Sequence, residues 1–230
     1  MTAFSPTQPV VRVKQDAMDV QDLEGLLRIN IQVKDKTLLY VFYTRIDQVF
    51  ILWGIICAII FLTAQFLTIG WTDQAVIWSI LTLFGSWGTY RLAWYWVSVE
   101  RKRWVVYTWI GLMIVGVMVT NWSIFSDGWV VLPHLSLLWL GLSAIGYLIT
   151  GWGLRSRAFL SCGMLHLMAI ALLSCVSTWQ FLFSGLISAG SLFFMASFQW
   201  DMYSDPDSQL LTEKQKQFNL DQAEKRASSL

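Results

Sequence analysis

Residues 158–200 read AFLSCGMLHLMAIALLSCVSTWQFLFSGLISAGSLFFMASFQW, 43 positions without an aspartate, glutamate, lysine or arginine. Drawn as one helix at about 1.5 Å per residue, the stretch would be roughly twice as long as the ~30 Å hydrocarbon core of a bilayer is thick. It therefore has to double back. Ser177-Thr178 is the cheapest place to turn, because small hydroxyl side chains satisfy freed backbone groups and the adjacent Trp179 suits the headgroup level. Two crossings result, 158–176 and 179–200. The polar tail from Asp201 is thereby returned to the side that holds Arg155 and Arg157.

The rest of the chain fits the same solvent. A hydrophobic share of 56% against 13% charged residues lies far from the usual soluble balance of about 45–50% and 25%. Upstream, four further apolar stretches give crossings at 49–69, 75–96, 104–121 and 130–152. The fold class is all-α: a polytopic bundle of six transmembrane helices over 47–200. It is flanked by a polar N-terminal region, 1–46, and a polar C-terminal tail, 201–230. The inner loops carry Arg101, Lys102, Arg103, Arg155 and Arg157, whereas the outer loops carry Asp73 and Asp127 and no base. By the bias of basic loops toward the cytoplasm, both termini are cytoplasmic. Tryptophans agree, with Trp71, Trp122, Trp129 and Trp179 at the outer boundary and Trp94, Trp96, Trp104, Trp152 and Trp200 at the inner one. The setting is a plasma (inner) or thylakoid membrane. The first 45 residues lack the basic start, short apolar core and small-residue cleavage site of a secretory signal, so the first crossing serves as the insertion signal.

Within the N-terminal region, Ala17 to Arg28 has helical spacing, and Ile29, Ile31 and Val33 alternate with polar residues before a second β-prone run, Leu38 to Tyr43. A strand, turn and strand is one reading, and an interfacial lead-in over 37–45 is the other. In the tail, Asp207 or Ser208 can cap a helix whose thin apolar stripe is Leu211, Phe218 and Leu220, either solvated or docked on the N-terminal region or a partner. Gly54 and Ala58, and Gly141, Ser143, Ala144 and Gly146, are small-residue faces for close helix approach. No repeat between the hairpins or between the two halves is evident.

Ionisable groups inside a bilayer are costly and by default mark function. No acid lies in a crossing between Val49 and Trp200, so a carboxylate proton relay lacks its parts. Arg91 reads as snorkelling toward the inner headgroups beside Trp94 and Trp96, or as a polar or anion contact inside the bundle. His134 and His166 are weak cofactor candidates. Their depths differ by roughly 10 Å at about 1.5 Å per residue, which is awkward for one haem iron. A hydrogen-bonded neutral histidine is the plainer role. Cys57, Cys162 and Cys175 sit in apolar segments with no CxxC pair and read as packing residues, so no metal site and no cofactor is expected.

Six crossings with Gly141-Leu142-Ser143-Ala144 and a later histidine resemble in outline the rhomboid serine proteases, which use a Gly-x-Ser nucleophile and a histidine two helices on. Here the histidine falls on the next helix, no glycine follows Ser143, and Ser143 lies deep. The family is therefore not assigned, and Ser143 reads as helix packing. HExxH, Walker A and GxGxxG motifs are missing from the sequence.

The net charge of +1 leaves no basic face for nucleic acid. What remains is a non-enzymatic membrane protein, an accessory subunit, assembly factor or scaffold. Its partners are lipid, other membrane proteins, or further copies of itself. A small transporter or channel is the alternative, with a polar track through Gln65, Thr120, Asn121, Ser143, Thr150 and Arg91. A cofactor-binding or intramembrane enzyme using His134, His166 or Ser143 is the third reading.

Overall fold

The computed structural model describes residues 9–33, 36–126, 132–202 and 208–228. The chain is mostly helical. Four helical runs are long and apolar enough to cross a membrane by length and composition: Arg45–Phe66, Arg103–Phe125, Leu132–Leu154 and Arg157–Ser197.

The last of these, 41 residues long, is folded in two. Its parts are α6 (Arg157–Leu172), a 3-10 stretch Leu173–Trp179 broken at Val176, and α7 (Gln180–Ser197). The reversal falls where Ser177-Thr178 predicted it. Its two ends meet through Asp201, whose carboxylate accepts from Ser156 Oγ, the backbone N–H groups of Arg157 and Ala158, and Arg157 Nε at 2.8–3.1 Å. A carboxylate placed there satisfies orphan donors of the α6 N-terminus and complements its dipole. The expected helix to residue 200 stops at Ser197, because Gln199–Trp200 forms a short strand, β4, paired antiparallel with β1 (Val11–Arg12).

Four more long helices precede this pair: α2 (Arg45–Phe66), α3 (Trp71–Val99), α4 (Arg103–Phe125) and α5 (Leu135–Leu154). Each helix from α2 to α6 packs against the next, and α7 packs back along α2, closing a ring. The boundaries differ from the hydropathy limits where capping decides them. α2 begins at Arg45 because Thr44 and Asp47 form a reciprocal capping box, and Lys14 Nζ reaches the same Asp47 carboxylate at 2.7 Å. Pro133 and His134 lie in a 3-10 turn ahead of α5 and not within it. Asp127, Trp129 and the start of the 130–152 crossing fall outside the described residues.

At the other end of the polar regions, the helix expected over 17–28 shrinks to one turn, α1 (Val20–Leu23). Gly25 adopts φ +68°, a conformation that ends helices, and its missing Cβ makes room for the Arg45 guanidinium. The strand reading of the next segment holds: β2 (Leu27–Val33) pairs antiparallel with β3 (Lys36–Tyr43), with an irregularity at Ile31/Gln32. The tail helix α8 (Glu213–Ser228) starts later than Asp207 or Ser208 would place it. Its cap is Thr212, whose N–H and hydroxyl both donate to Gln215 Oε1 while the Gln215 N–H returns to Thr212 Oγ1. Asp205, Pro206 and Asp207 fall outside the described residues.

α8 docks on the N-terminal segment. Arg226 pairs with Asp19 at 2.9 Å, and Asn219 bonds both the Val20 N–H and Gln21.

Candidate functional site inside the helix ring

Inside the ring, polar side chains pair helices with one another. Trp53 Nε1 of α2 donates to Thr89 Oγ1 of α3 at 2.7 Å, and Trp78 Nε1 of α3 donates back to Thr63 Oγ1 of α2 at 3.2 Å. The next antiparallel pair repeats the arrangement: Trp109 of α4 donates to Thr150 of α5 at 3.1 Å, and Trp139 of α5 to Thr120 of α4 at 3.2 Å. Each hairpin is thus fastened reciprocally at two depths.

The geometry has a sequence signature. Trp-x6-Gly-x3-Thr occurs at Trp78/Gly85/Thr89, Trp109/Gly116/Thr120 and Trp139/Gly146/Thr150. α2 carries a degenerate copy, Trp53 and Thr63, with Ile59 four residues before the threonine. The glycine is what lets the partner indole lie on the backbone. A Cβ at Gly85 would stand 3.0 Å from the Trp53 ring, at Gly116 2.7 Å from Trp139, and at Gly146 2.6 Å from Trp109. The threonine one turn further on then meets the indole N–H. The chain does contain a repeat, against the expectation from sequence.

α7 joins the ring by a different device. Gly54 of α2 receives the Phe193 ring, and Gly185 of α7 receives Phe61. The small-residue reading of Gly54 is correct, and Phe193 is its occupant. Gln65 fastens the C-terminal end of α2 to the reversal, donating to the Thr178 carbonyl at 3.1 Å and accepting from the Leu182 N–H at 3.1 Å.

Along the ring axis runs a slot of about 150 Å³. On α2 its wall extends from Ile46 to Phe61, about 22 Å at the helical rise. No Lys, Arg, Asp or Glu lines it. His166 of α6 does, and it is fully buried. Its Nδ1 lies 2.8 Å from the Cys162 carbonyl oxygen, which can only accept, so the ring proton is on Nδ1 and Nε2 presents a lone pair. Nε2 has no hydrogen-bond partner. The Tyr147 ring sits 5.0 Å away, centre to centre.

The sequence candidates divide accordingly. Ser143 and Thr150 line the slot with His166, but with Nε2 unpartnered there is no Ser143–His166 hydrogen bond and no nucleophile–base pair. His134 is exposed at the start of α5, away from the slot wall. Arg91 is exposed on the outer surface of α3. Gln65, Thr120 and Asn121 are not part of the slot wall. Thr120 and Gln65 take the helix-pairing bonds given above, and Asn121 exchanges bonds with Ser79 at 3.0 and 3.3 Å. The six residues of the supposed polar track are thus not brought together. Among the described residues no cluster of three His, Cys, Asp or Glu side chains could hold a metal.

A second polar junction covers the end of the ring where α3 finishes. Trp96 Nε1 donates to Asp22 at 2.9 Å, and Gln21 Nε2 donates to the buried Glu100 at 2.8 Å. Burial, with Asp19 nearby, pushes the Asp22 carboxyl up to about 7; the Trp96 hydrogen bond and Arg226 oppose the rise and Glu100 adds to it. Sequence reading missed this junction because its residues are scattered over 200 positions and share no motif. No family model matches this chain, and neither a curated protein nor a solved structure matches it.

Proposed function

We propose that the protein is a non-enzymatic, multi-pass membrane protein with six crossings and both ends on one face, acting as an accessory subunit, assembly factor or scaffold for a membrane complex. The observation that carries this reading is the β2–β3 ribbon. It stands at the polar end with both strand edges unpaired by any third strand among the described residues, and it exposes Leu27, Ile31 and Tyr40 by 46–49%. A two-stranded ribbon is marginal alone in water, and free edges with apolar side chains invite another chain. The helix-pairing role of the interior polar groups supports the same reading, since it leaves neither a catalytic pair nor a continuous polar path.

The test is native-gel migration of gently solubilised membranes, comparing wild type with the triple substitution Leu27→Glu, Ile31→Glu and Tyr40→Glu. The reading requires a species larger than the monomer that is lost in the variant. A lone monomer for the wild type, or an assembly indifferent to the three changes, sinks it.

A further inference from the structure

We infer that the outside of the ring, where the end of α3 meets the start of α4, holds the phosphate of an anionic phospholipid between Arg91 and Arg103. The site rests on the six crossings proposed above and not on the ribbon. Both arginines are exposed. Arg91 lies eight residues before the end of α3, about 12 Å from it along the helix axis, and makes no hydrogen bond or ion pair among the described residues. Arg103 opens α4 and lies back against α3: its Nε donates to Ser98 Oγ at 2.9 Å, and its guanidinium carbon stands 5.0 Å from the centre of the Trp94 ring. Its two terminal nitrogens donate to nothing among the described residues, so half of the planar fork that suits a phosphate is still on offer.

Trp94 brings the two cations to one place. It follows Arg91 by three residues, which puts both on one face of α3, and it carries Arg103 on its ring. The same indole packs on Tyr90 at 4.8 Å and Tyr107 at 6.1 Å, and these two are 41% and 58% exposed, as rings that collect at headgroup level are. Charge then selects the ligand. Glu100, the acid of the α3–α4 loop, is 2% exposed and accepts from Gln21, and among the described residues no acid pairs with Arg91 or Arg103. Two cations left without a counter-charge at the margin of a hydrocarbon layer call for an anion from outside the chain. Lipid phosphates lie at that depth, and the cytoplasmic leaflet, where the basic loops place this end, is the one rich in anionic lipid.

The probe is phosphatidylglycerol, with phosphatidylcholine of the same acyl chains as its partner, titrated on the full chain in detergent and read by native mass spectrometry. Phosphatidylglycerol should be retained in preference. Arg91→Gln and Arg103→Gln should each weaken it about fivefold, the worth of one basic residue near an anionic surface, and leave phosphatidylcholine unchanged. Arg155→Gln, on the other basic loop, should change neither. Equal retention of the two lipids overturns the proposal, as does an equal loss in all three variants, which would mean diffuse charge and no site. Displacement of the lipid by inorganic phosphate overturns it in favour of a free-anion site. Should either variant not fold, the wild type decides: phosphatidylglycerol, and not phosphatidylcholine, should shield Arg91 and Arg103 from phenylglyoxal while Arg155 reacts as before, and equal modification refutes the site. A negative result with Cys175 and position 212 still on opposite faces of the membrane removes the lipid site alone and leaves the six crossings standing.

Discussion

The α4–α5 and α6–α7 hairpins are both antiparallel pairs of apolar helices, yet they are held by opposite means. In α4–α5 the polar contacts lie within the helices, where Trp109–Thr150 and Trp139–Thr120 join two depths. In α6–α7 they lie at the extremities, with Asp201 closing one end and Gln65 reaching across from α2 at the other. The consequence is visible between them. The interior of the end-fastened pair holds the orphaned His166 Nε2 and Ser184 Oγ, whereas in the reciprocally fastened pairs all four indole N–H groups are satisfied and the orphans, Gln74 Oε1 and Ser136 Oγ, lie in the first turns of α3 and α5. The lumen is lined mostly by the reciprocally fastened helices α2 to α5, with Phe159 and His166 of α6 and Ser188 and Leu192 of α7 closing its other side.

The largest effect should come from the charged end. Asp201→Ala removes an acceptor of four bonds and leaves the Arg157 charge without this partner, so it should cost about 3 kcal/mol in thermal unfolding in detergent. A loss no greater than that of one Trp–Thr bond would erase the contrast. Next, Gly116→Ala should cost about 2 kcal/mol by driving a Cβ into the Trp139 ring, while Gly111→Ala on the same helix, with nothing within 4 Å, should be neutral. Equal effects at the two glycines would dissolve the Trp–Gly–Thr motif into general helix packing.

A smaller and more discriminating effect is in pH. Because the folded Asp22 carboxyl titrates near 7 and the unfolded one near 3.8, its contribution to stability is complete below the lower value and is lost as pH rises through about 7. The residue is half-buried, so solvent screening holds the change to about 1 kcal/mol. Asp22→Asn should flatten the stability profile between about pH 4 and pH 7, whereas Trp109→Phe should leave its slope untouched. The smallest effect is the coupling in a Trp109→Phe, Thr150→Val double-mutant cycle, about 0.6 kcal/mol, in line with hydrogen bonds between membrane helices. Zero coupling would mean that the indole's packing on Gly146, and not its N–H bond, joins α4 to α5.

Hydropathy made the helices legible, and the lack of charge over 158–200 located the reversal to within a residue or two of Val176. Capping was read less well. Thr44-x-x-Asp47 and Thr212-x-x-Gln215 are both visible once sought, but the apolar limit of a crossing drew attention away from the polar cap ahead of it. The helical spacing over 17–28 yields a single turn because Gly25 supplies a left-handed stop that apolar spacing does not reveal. The Trp-x6-Gly-x3-Thr repeat was present in plain letters. Its three residues are diluted among nine variable ones, and tryptophans near a membrane read first as boundary markers. The slot could not have been read at all: its wall takes residues from six helices, and only their three-dimensional order brings those residues around one space.

The proposed topology runs the six long helices through a bilayer with residues 9–33 and 208–228 on one face. Cys175, exposed in the 3-10 stretch between α6 and α7, is a native reporter for the opposite face. The direct measurement is labelling by a membrane-impermeant maleimide on sealed right-side-out vesicles that carry Thr212→Cys beside Cys175. The account predicts that Cys175 is labelled at once and position 212 only after the vesicles are opened. Labelling of both positions from outside, or of 212 alone, would contradict it.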